Sequence, residues 1–310
     1  MITTSLLTKY YDAKPAVWGV DLRVAAGEVC GLIGPNGAGK TTLLKMLAGL
    51  LRPTSGRIEI DGVEIGAHPK RLHAIAGYVP DTFGLYEELT VREFLEYFAR
   101  AHRVPQEKIR KRVESVLELT NLQSKLKAGV GSLSRGMRQR LVIAKTLLHA
   151  PKILLLDEPA SGLDPFARLE LRDLIKELGR MGTTILVSSH ILTELADFCS
   201  SVIIMERGHV IRAGEIRKLV AEISQGLPVR IEMMDERAAS ELSVVLSVRA
   251  DVTNLKADRA TIDFSFNGDR ALLAQLHREI VLEHPKVVSF YERRLSVEDI
   301  FMAVGSHQVS

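Results

Sequence analysis

The chain has 310 residues, of which 46% are hydrophobic and 25% are charged, so it is long enough for about two globular domains. Its formal net charge of +3 is too small to indicate a nucleic-acid partner. The two cysteines, Cys30 and Cys199, match no metal-binding or redox spacing, and we expect buried thiols in a reducing compartment. No apolar run approaches the roughly 18 residues that a spanning helix needs, and the first residues lack a signal-peptide core. These features favour a cytoplasmic protein.

A glycine-rich loop, GPNGAGKTT at residues 34–42, lies between a predicted buried strand over 28–34 and a predicted helix. It fits the pattern G-x-x-x-x-G-K-[ST], in which backbone N–H groups and the helix N-terminus hold phosphate. The alternative is a turn that is merely rich in glycine. We expect Lys40 to reach the β and γ phosphates of a nucleotide and the Thr41 hydroxyl to bind Mg²⁺. The candidate binding residues are Gly34, Pro35, Asn36, Gly37, Ala38, Gly39, Lys40, Thr41 and Thr42.

The helix after this loop has leucines at a spacing of three, four and seven residues, which predicts one buried face. These leucines are Leu43, Leu44, Leu47 and Leu50. Residues 88–150 are also predominantly helical in pattern, and we expect a small helical subdomain there. Thr90 and Glu93 have the spacing of a capping box, in which each side chain bonds a backbone N–H at the helix start.

A further helix is predicted to begin near Gln106, with two chemically different faces. Its apolar face holds Ile109, Val113, Val116 and Leu117. Its basic face holds Lys108, Arg110, Lys111 and Arg112. Two interpretations of the basic face stay open, a plain solvated surface and a contact with anionic lipid.

The apolar run KILLLDEP, residues 152–159, is typical of a central strand in a parallel sheet that is covered on both faces. Neighbouring side chains at a strand end point in different directions. We therefore expect Asp157 to bind Mg²⁺ and Glu158 to take a proton from the water that attacks the γ phosphate. The alternative is a structural strand end. Asp164 is the predicted cap of the next helix.

His190 follows LVSS at the end of another predicted strand, at the edge where ligands gather in open α/β sheets. A lone histidine there is often structural. Because it follows the glycine-rich loop and the acidic strand in the chain, we expect it to be a hydrogen-bond partner of the γ phosphate.

Beyond about residue 221 the predicted elements follow the order βαββαβ, which suggests a small ferredoxin-like α+β domain over 221–310. A last helix is predicted over 296–305. No active-site residues are evident in this tail, which favours a structural or docking module. The remaining part, 1–220, is predicted to form an α/β unit with a parallel sheet.

Together the glycine-rich loop, the acidic strand, SGLD, SSH and LSRGMRQR resemble the ATPase subunit of ATP-binding cassette (ABC) transporters, over about residues 5–220. The tail, with RRLSVEDIFMAVG, is similar to the C-terminal extension of ATPase subunits from bacterial ABC exporters. The resemblance implies an ABC-type P-loop fold with a helical subdomain. It also implies binding of ATP and Mg²⁺ and hydrolysis of ATP, with Lys40, Glu158 and His190 as catalytic residues.

The stretch SLSRGMRQR, residues 132–140, has a capping serine and a glycine at a predicted helix start. In the family this helix meets the γ phosphate that a second copy holds, so the resemblance implies a head-to-tail dimer with two ATP molecules between the chains. Ser134, the Gly136 backbone and the helix N-terminus would contact the phosphate. The resemblance further implies a separate membrane-spanning permease, export, and a position on the inner face of the cell membrane.

Three positions depart from the family pattern. Arg135 and Met137 replace a glycine and a glutamine of the usual Leu-Ser-Gly-Gly-Gln, and Arg135 can either contact the opposite nucleotide or face solvent. Asp81 stands where the family often has a glutamine that touches Mg²⁺. A carboxylate can reach Mg²⁺, but it adds negative charge near the γ phosphate.

The resemblance also implies an aromatic ring before the first strands that stacks on adenine. In LTKYYD, Tyr11 matches the family's aromatic position best, Tyr10 is one residue out of register, and the alternative for Tyr11 is surface packing.

Two other functions stay open. One is an ATP-switched clamp on nucleic acid or ribosomes, which the chain's single cassette and its lack of interleaved basic and aromatic runs disfavour. The other is a nucleotide sensor that scarcely turns over.

Overall fold

A computed structural model describes residues 1–65, 69–191, 195, 198–216, 218–219 and 226–293. The chain divides into two compact units, Met1–Ile216 and Arg217–Ser310. The first unit contains the glycine-rich loop, the acidic strand and the LSRGM segment. The helix expected over 296–305 lies outside the described residues.

The first unit combines two sheets with helices. Its strands are β1 (Ile2–Tyr11), β2 (Lys14–Val24), β3 (Val29–Ile33), β4 (Ser55–Ile60), β5 (Val63–Glu64), β6 (Ala76–Val79), β7 (Ile153–Leu156), β8 (Thr184–Ser189), β9 (Ser201–Glu206) and β10 (His209–Glu215). Its helices include α1 (Lys40–Leu47), α2 (Pro69–Ile75), α3 (Val91–Ala101), α4 (Gln106–Leu119), α5 (Arg135–Leu147) and α6 (Pro165–Arg180). Short 3₁₀ turns lie at Gln123–Lys125 and Val130–Ser132.

The central sheet has the strand order β10-β9-β3-β8-β7-β6. Its strands are parallel from β9 to β6, and β10 is antiparallel to β9. Strands β3, β7 and β8 are buried over their whole length, as expected of strands covered on both faces. Because β3, β6, β7 and β8 are parallel, the segments after them leave at one edge of the sheet.

The second sheet, with the order β2-β1-β4-β5, is antiparallel and shares a hydrophobic core with α1 and the central sheet. Ile2, Leu44, Ile60 and Leu186 belong to this core. The core fixes α1, and with it the loop that precedes α1. Three of the four leucines predicted on the buried face are buried, but Leu50 is 59% exposed. Helix α1 ends at Leu47, before the spacing reaches Leu50.

Helix α3 begins with the predicted capping box. Thr90 Oγ1 accepts from the Glu93 N–H at 3.3 Å, and the Glu93 carboxylate accepts from the Thr90 N–H at 2.8 Å. These bonds satisfy two donors that the helix geometry leaves without intrahelical partners.

The predicted apolar face of α4 is confirmed, because Ile109, Val113, Val116 and Leu117 are buried. The basic face is not uniform. Lys108, Arg110 and Lys111 are exposed, whereas Arg112 is half-buried and its Nε donates to the Leu148 carbonyl at 2.9 Å. The expectation of one solvated or lipid-facing surface is therefore wrong for Arg112, since carbonyls at the end of α5 accept from its guanidinium.

Two histidines stack between the helical part and the central sheet. The rings of His102, after α3, and His149, after α5, have centroids 4.5 Å apart and an interplanar angle of 20°. Burial lowers the pKa of both rings, and the charge of His149 lowers the pKa of His102 further. Because the unfolded chain, with pKa values of about 6.5, binds more protons, the free energy of unfolding falls as the pH drops through about 6.5.

We expect His149→Gln to weaken this pH dependence, since it removes one ring and its repulsion of the other. Urea denaturation at about pH 7.5 and about pH 5.5 measures the loss of unfolding free energy on acidification. The loss is expected to be smaller in the variant than in the parent, and unchanged in the control His209→Gln, which replaces an exposed ring. Equal losses in the parent and in His149→Gln would contradict a role of the His102–His149 pair in this pH dependence.

The second unit has its own hydrophobic core. Its described elements are β11 (Leu227–Met233), α7 (Glu236–Ser247), β12 (Val252–Asp258), β13 (Thr261–Phe266), α8 (Arg270–Glu283) and β14 (Val287–Glu292). They follow the order βαββαβ, and the antiparallel sheet has the strand order β12-β13-β11-β14. Alternate residues of β11 and β13 are buried, and they join Leu242 of α7 and Leu276 of α8 in this core.

Candidate functional site

The glycine-rich loop follows β3 and needs glycine at two positions for steric reasons. A Cβ on Gly34 would lie 2.2 Å from the Met205 carbonyl oxygen. Gly39 has φ +102°, and a Cβ there would lie 2.3 Å from the Ala16 carbonyl oxygen. Gly39 is also the N-cap residue of α1, and no side chain at this position bonds the N–H groups of the first turn. Backbone N–H groups at this helix start can therefore bind an anion.

Lys40 is buried and its ammonium group lies inside the loop. Nζ donates to the Gly34 carbonyl at 2.7 Å and to the Pro35 carbonyl at 3.3 Å. It also forms an ion pair with Glu158 Oε1 at 3.2 Å. The cation thus lies between the loop and the end of β7, where a phosphate bound to the loop would meet it.

Asp157 follows β7, is fully buried, and accepts from three hydroxyl groups. Oδ1 accepts from Thr41 at 3.0 Å and from Ser188 at 2.9 Å, and Oδ2 accepts from Tyr78 at 3.2 Å. Burial, and then the charge of Asp157, raise the pKa of the Tyr78 phenol, which keeps it a donor. The carboxylate is held next to the first turn of α1.

Glu158 points elsewhere, as its alternate position predicted. Its φ is +46°, and its N–H donates to Ser188 Oγ at 2.9 Å. Its carboxylate lies between Lys40, on Oε1, and His190, whose Nδ1 is 2.7 Å from Oε2. The structure therefore brings Lys40, Glu158 and His190 into one cluster.

Asp81 and Tyr11 lie apart from this cluster in the contacts of the described residues. Asp81 is exposed and accepts from the N–H and hydroxyl of Thr82 at 2.7 and 3.0 Å. Its charge still contributes to the raised pKa of Tyr78. Tyr11 is about half exposed at the end of β1, with Lys9 Nζ 5.6 Å from the centre of its ring.

The LSRGM segment begins α5 as a capped helix. Ser134 Oγ accepts from the Met137 N–H at 3.3 Å. Gly136 is buried, and a Cβ there would lie 2.6 Å from the Ala167 Cβ of α6. Arg135 is exposed, and its guanidinium donates to the Ser161 carbonyl at 3.0 Å, a contact that the sequence did not predict.

Sequence patterns missed two members of the site, Ser188 and Tyr78. Ser188 links Asp157 to the Glu158 backbone, and Tyr78 binds the other oxygen of Asp157. The available signal was position: both lie near the carboxyl ends of strands that neighbour β7 in the sheet. Without the strand order, that signal cannot be recognised.

The arrangement combines a backbone cradle for an anion, a buried ammonium group and two carboxylates with different neighbours. Such a combination suits phosphoryl chemistry, in which charge on the transferred group is stabilised and a nucleophile is oriented.

The expected α/β fold, with the phosphate loop between β3 and α1, is confirmed. None of the helices within the described ranges has an apolar stretch that could span a bilayer.

Comparisons with known proteins identify the family. The family model described as "ABC transporter" matches residues 17–161. Over 308 residues, the chain is 33% identical to "Nod factor export ATP-binding protein I" of Rhizobium meliloti (strain 1021), covering 99% of this chain and 89% of the relative. The names of these relatives support the expected transporter interpretation over the alternative, a clamp on nucleic acid or ribosomes.

Two solved structures have the same cassette fold. One is a dimeric ATP-binding cassette in a post-hydrolysis state bound to ADP and Pi, with 29% identity, TM-score 0.63, and coverage of 70% of this chain and 99% of that chain. The other is cbiO1 from Clostridium perfringens, part of the ABC transporter complex cbiONQ, with 28% identity, TM-score 0.65, and coverage of 80% and 95%. The chain belongs to the ABC transporter ATP-binding proteins, and its activity is ATP hydrolysis.

Proposed function

We propose that this chain drives export through a separate membrane-spanning subunit, as a dimer that closes on ATP at the inner face of the cell membrane. The observation that carries the proposal is the cluster of Lys40, Glu158 and His190 beside the phosphate loop. An export function is in the name of the relative that the chain matches over nearly its full length.

For ATP binding, the proposed cradle is the loop backbone from Gly34 to Thr42, with Lys40 on the β and γ phosphates. The support is the glycine geometry at Gly34 and Gly39, which leaves space for close approach of phosphate. Tyr11 is proposed to stack on adenine. Its half-exposed ring at the end of β1 supports this role.

Mg²⁺ is proposed to bind the Thr41 hydroxyl and Asp157, with Asp81 as a further candidate. The residues fit this ion, because Asp157 is a buried carboxylate already next to Thr41, and Mg²⁺ prefers oxygen ligands. The bound ion would neutralise charge on the phosphates. Ser188 and Tyr78 would keep the Asp157 carboxylate oriented, since both donate to it.

For hydrolysis, Glu158 is proposed to accept the proton of the water that attacks the γ phosphorus. The new bond forms between the water oxygen and phosphorus, and the bond from phosphorus to the bridging oxygen of ADP breaks. His190 is proposed to bind the γ phosphate. The ion pair of Lys40 with Glu158 would give way to phosphate contacts when ATP enters, because one ammonium group serves both anions.

The second copy is proposed to complete the phosphate site with Ser134 and Gly136, across a head-to-tail interface. The support is the capped, exposed start of α5, where N–H groups and the helix dipole favour an anion. The pair is proposed to be a homodimer. The unit after about residue 220 is proposed to be an accessory docking domain, and no nucleic-acid partner is expected.

Affinity purification tests the membrane partner. The Glu158→Gln chain is purified with ATP from detergent-solubilised native cells, and co-purifying proteins are identified by mass spectrometry, with the same variant without ATP as the control. Enrichment of a multi-span membrane protein with ATP is the expected result. Enrichment of ribosomal or nucleic-acid components alone would overturn the proposal in favour of a clamp.

A further inference from the structure

Arg135 occupies the first turn of α5 and contacts a different loop. Its guanidinium donates to the Ser161 carbonyl at 3.0 Å. A Cβ on Gly162, which has φ +66°, would lie 2.6 Å from Arg135 Cζ and within 2.8 Å of both terminal nitrogens. The guanidinium therefore lies against Gly162, and the absence of a side chain there makes room for it.

The loop that Arg135 contacts begins at Glu158. The Ser161 N–H donates to the Glu158 carbonyl at 3.1 Å, and the Leu163 N–H donates to the Ala160 carbonyl at 3.2 Å. Asp164 then caps α6 by accepting from the Ala167 N–H at 2.9 Å. The segment from Glu158 to Asp164 is thus a run of short turns in which Ser161 is bonded both to Arg135 and to Glu158.

Helix α5 does not depend on Arg135 for its place in the fold. Gly136 packs closely against Ala167 of α6, and Arg140 forms an ion pair with Glu170 of α6 at 3.2 Å. Arg140 also donates to the Thr120 carbonyl at 3.0 Å. Since these contacts hold the helix, the Arg135 side chain is available for another role.

We propose that Arg135 is a positioning residue that couples the start of α5 to the loop carrying Glu158. The inference rests on the proposed function, in which α5 contacts the ATP of a second copy while Glu158 acts on the ATP of its own chain. A shift of α5 on meeting phosphate would then reach Glu158 through two hydrogen bonds, Arg135 to Ser161 and Ser161 to Glu158. The two phosphate sites of one chain would respond to each other.

Steady-state ATP hydrolysis by the full chain tests this coupling. Arg135→Ala is expected to lower kcat about tenfold and to reduce the Hill coefficient for ATP toward 1. Its affinity for ATP, measured by equilibrium dialysis at concentrations below dimerisation, is expected to stay within about twofold of the parent. Arg135→Lys is expected to recover most of the cooperativity, because an ammonium group also donates to a carbonyl.

Two further variants separate coupling from folding. Arg180→Ala, which removes an exposed arginine of α6, is the matched control and is expected to behave as the parent. Gly162→Ala displaces the guanidinium, and it also places a non-glycine residue at φ +66°, which strains the loop in any background. It is expected to lower the Hill coefficient more in the parent than in the Arg135→Ala background, where only the strain acts. Equal falls in the two backgrounds would count against the coupling.

The outcomes distinguish the inference from the function it rests on. A parent chain that shows no ATP-dependent dimer contradicts the proposed function. A different outcome is that the parent dimerises and hydrolyses ATP cooperatively, but Arg135→Ala or Gly162→Ala has the same kcat and Hill coefficient as the parent. That outcome overturns only the coupling. Loss of cooperativity in Arg135→Ala with recovery in Arg135→Lys supports it.

Discussion

Glu158→Gln is expected to lower ATP turnover by at least about a hundredfold, because a general base contributes roughly that much or more to a hydrolytic rate. The amide keeps the size of the side chain and one acceptor oxygen, which can stay on Lys40 while the NH2 group faces His190, but it cannot take the proton of water. ATP affinity is therefore expected to stay close to that of the parent. Phosphate release measures turnover, and equilibrium dialysis with labelled ATP measures affinity.

The matched control is Glu177→Gln, which removes an exposed carboxylate of α6 that pairs only with Arg180 among the contacts of the described residues. It is expected to hydrolyse ATP at the parent rate. Parent-like turnover in Glu158→Gln would contradict the role of Glu158 as the general base. The proton of the attacking water would then have to go to another group or to solvent.

Gly39→Ala is expected to lower the free energy of unfolding by about 3 kcal/mol or more. A Cβ at this position would lie 2.3 Å from the Ala16 carbonyl oxygen, a backbone atom that cannot rotate away, and φ is +102°. Urea denaturation of the nucleotide-free chain measures the loss. Nucleotide affinity is expected to fall as well, because the loop must shift.

Gly37→Ala separates the clash from the backbone preference. Gly37 also has a left-handed φ, +82°, but a Cβ there meets nothing within 4 Å. We expect a loss of about 1–2 kcal/mol, the cost of placing a non-glycine residue in that conformation. Equal losses for Gly37→Ala and Gly39→Ala would show that close packing against Ala16 does not determine the need for glycine.

Local patterns were sufficient for the features that depend on neighbouring residues. The capping box at Thr90, the cap at Asp164 and the phosphate loop each involve residues a few positions apart, so their spacing is visible in the sequence. The continuous apolar run before Asp157 likewise predicted a buried central strand.

Contacts between distant segments could not be predicted in the same way. The three donors to Asp157 stand 116, 79 and 31 residues from it, and only the strand order brings them together. The contact of Arg135 with Ser161 depends on how α5 packs on α6. The predictions for Leu50 and Arg112 were wrong for a related reason. Helical spacing does not reveal where a helix ends or which carbonyl groups lie beside it.

Cross-linking between two chains tests whether the start of α5 in one chain meets the phosphate loop of another. Asn36→Cys, in the exposed loop, and Ser132→Cys, before the exposed cap, are made in separate chains and mixed with a short bis-maleimide. Cys30 and Cys199 remain in place, because both are buried, and burial raises the pKa of Cys30 to about 12.

We expect a cross-linked pair of the two variants that forms with ATP and not with ADP. The pair should be absent when Glu114→Cys, on the exposed side of α4, replaces Ser132→Cys. Glu158→Gln in both chains should increase the yield, since it slows the hydrolysis that opens the pair. Absence of the cross-link with ATP, or equal yields with ATP, with ADP and with Glu114→Cys, would contradict the head-to-tail arrangement.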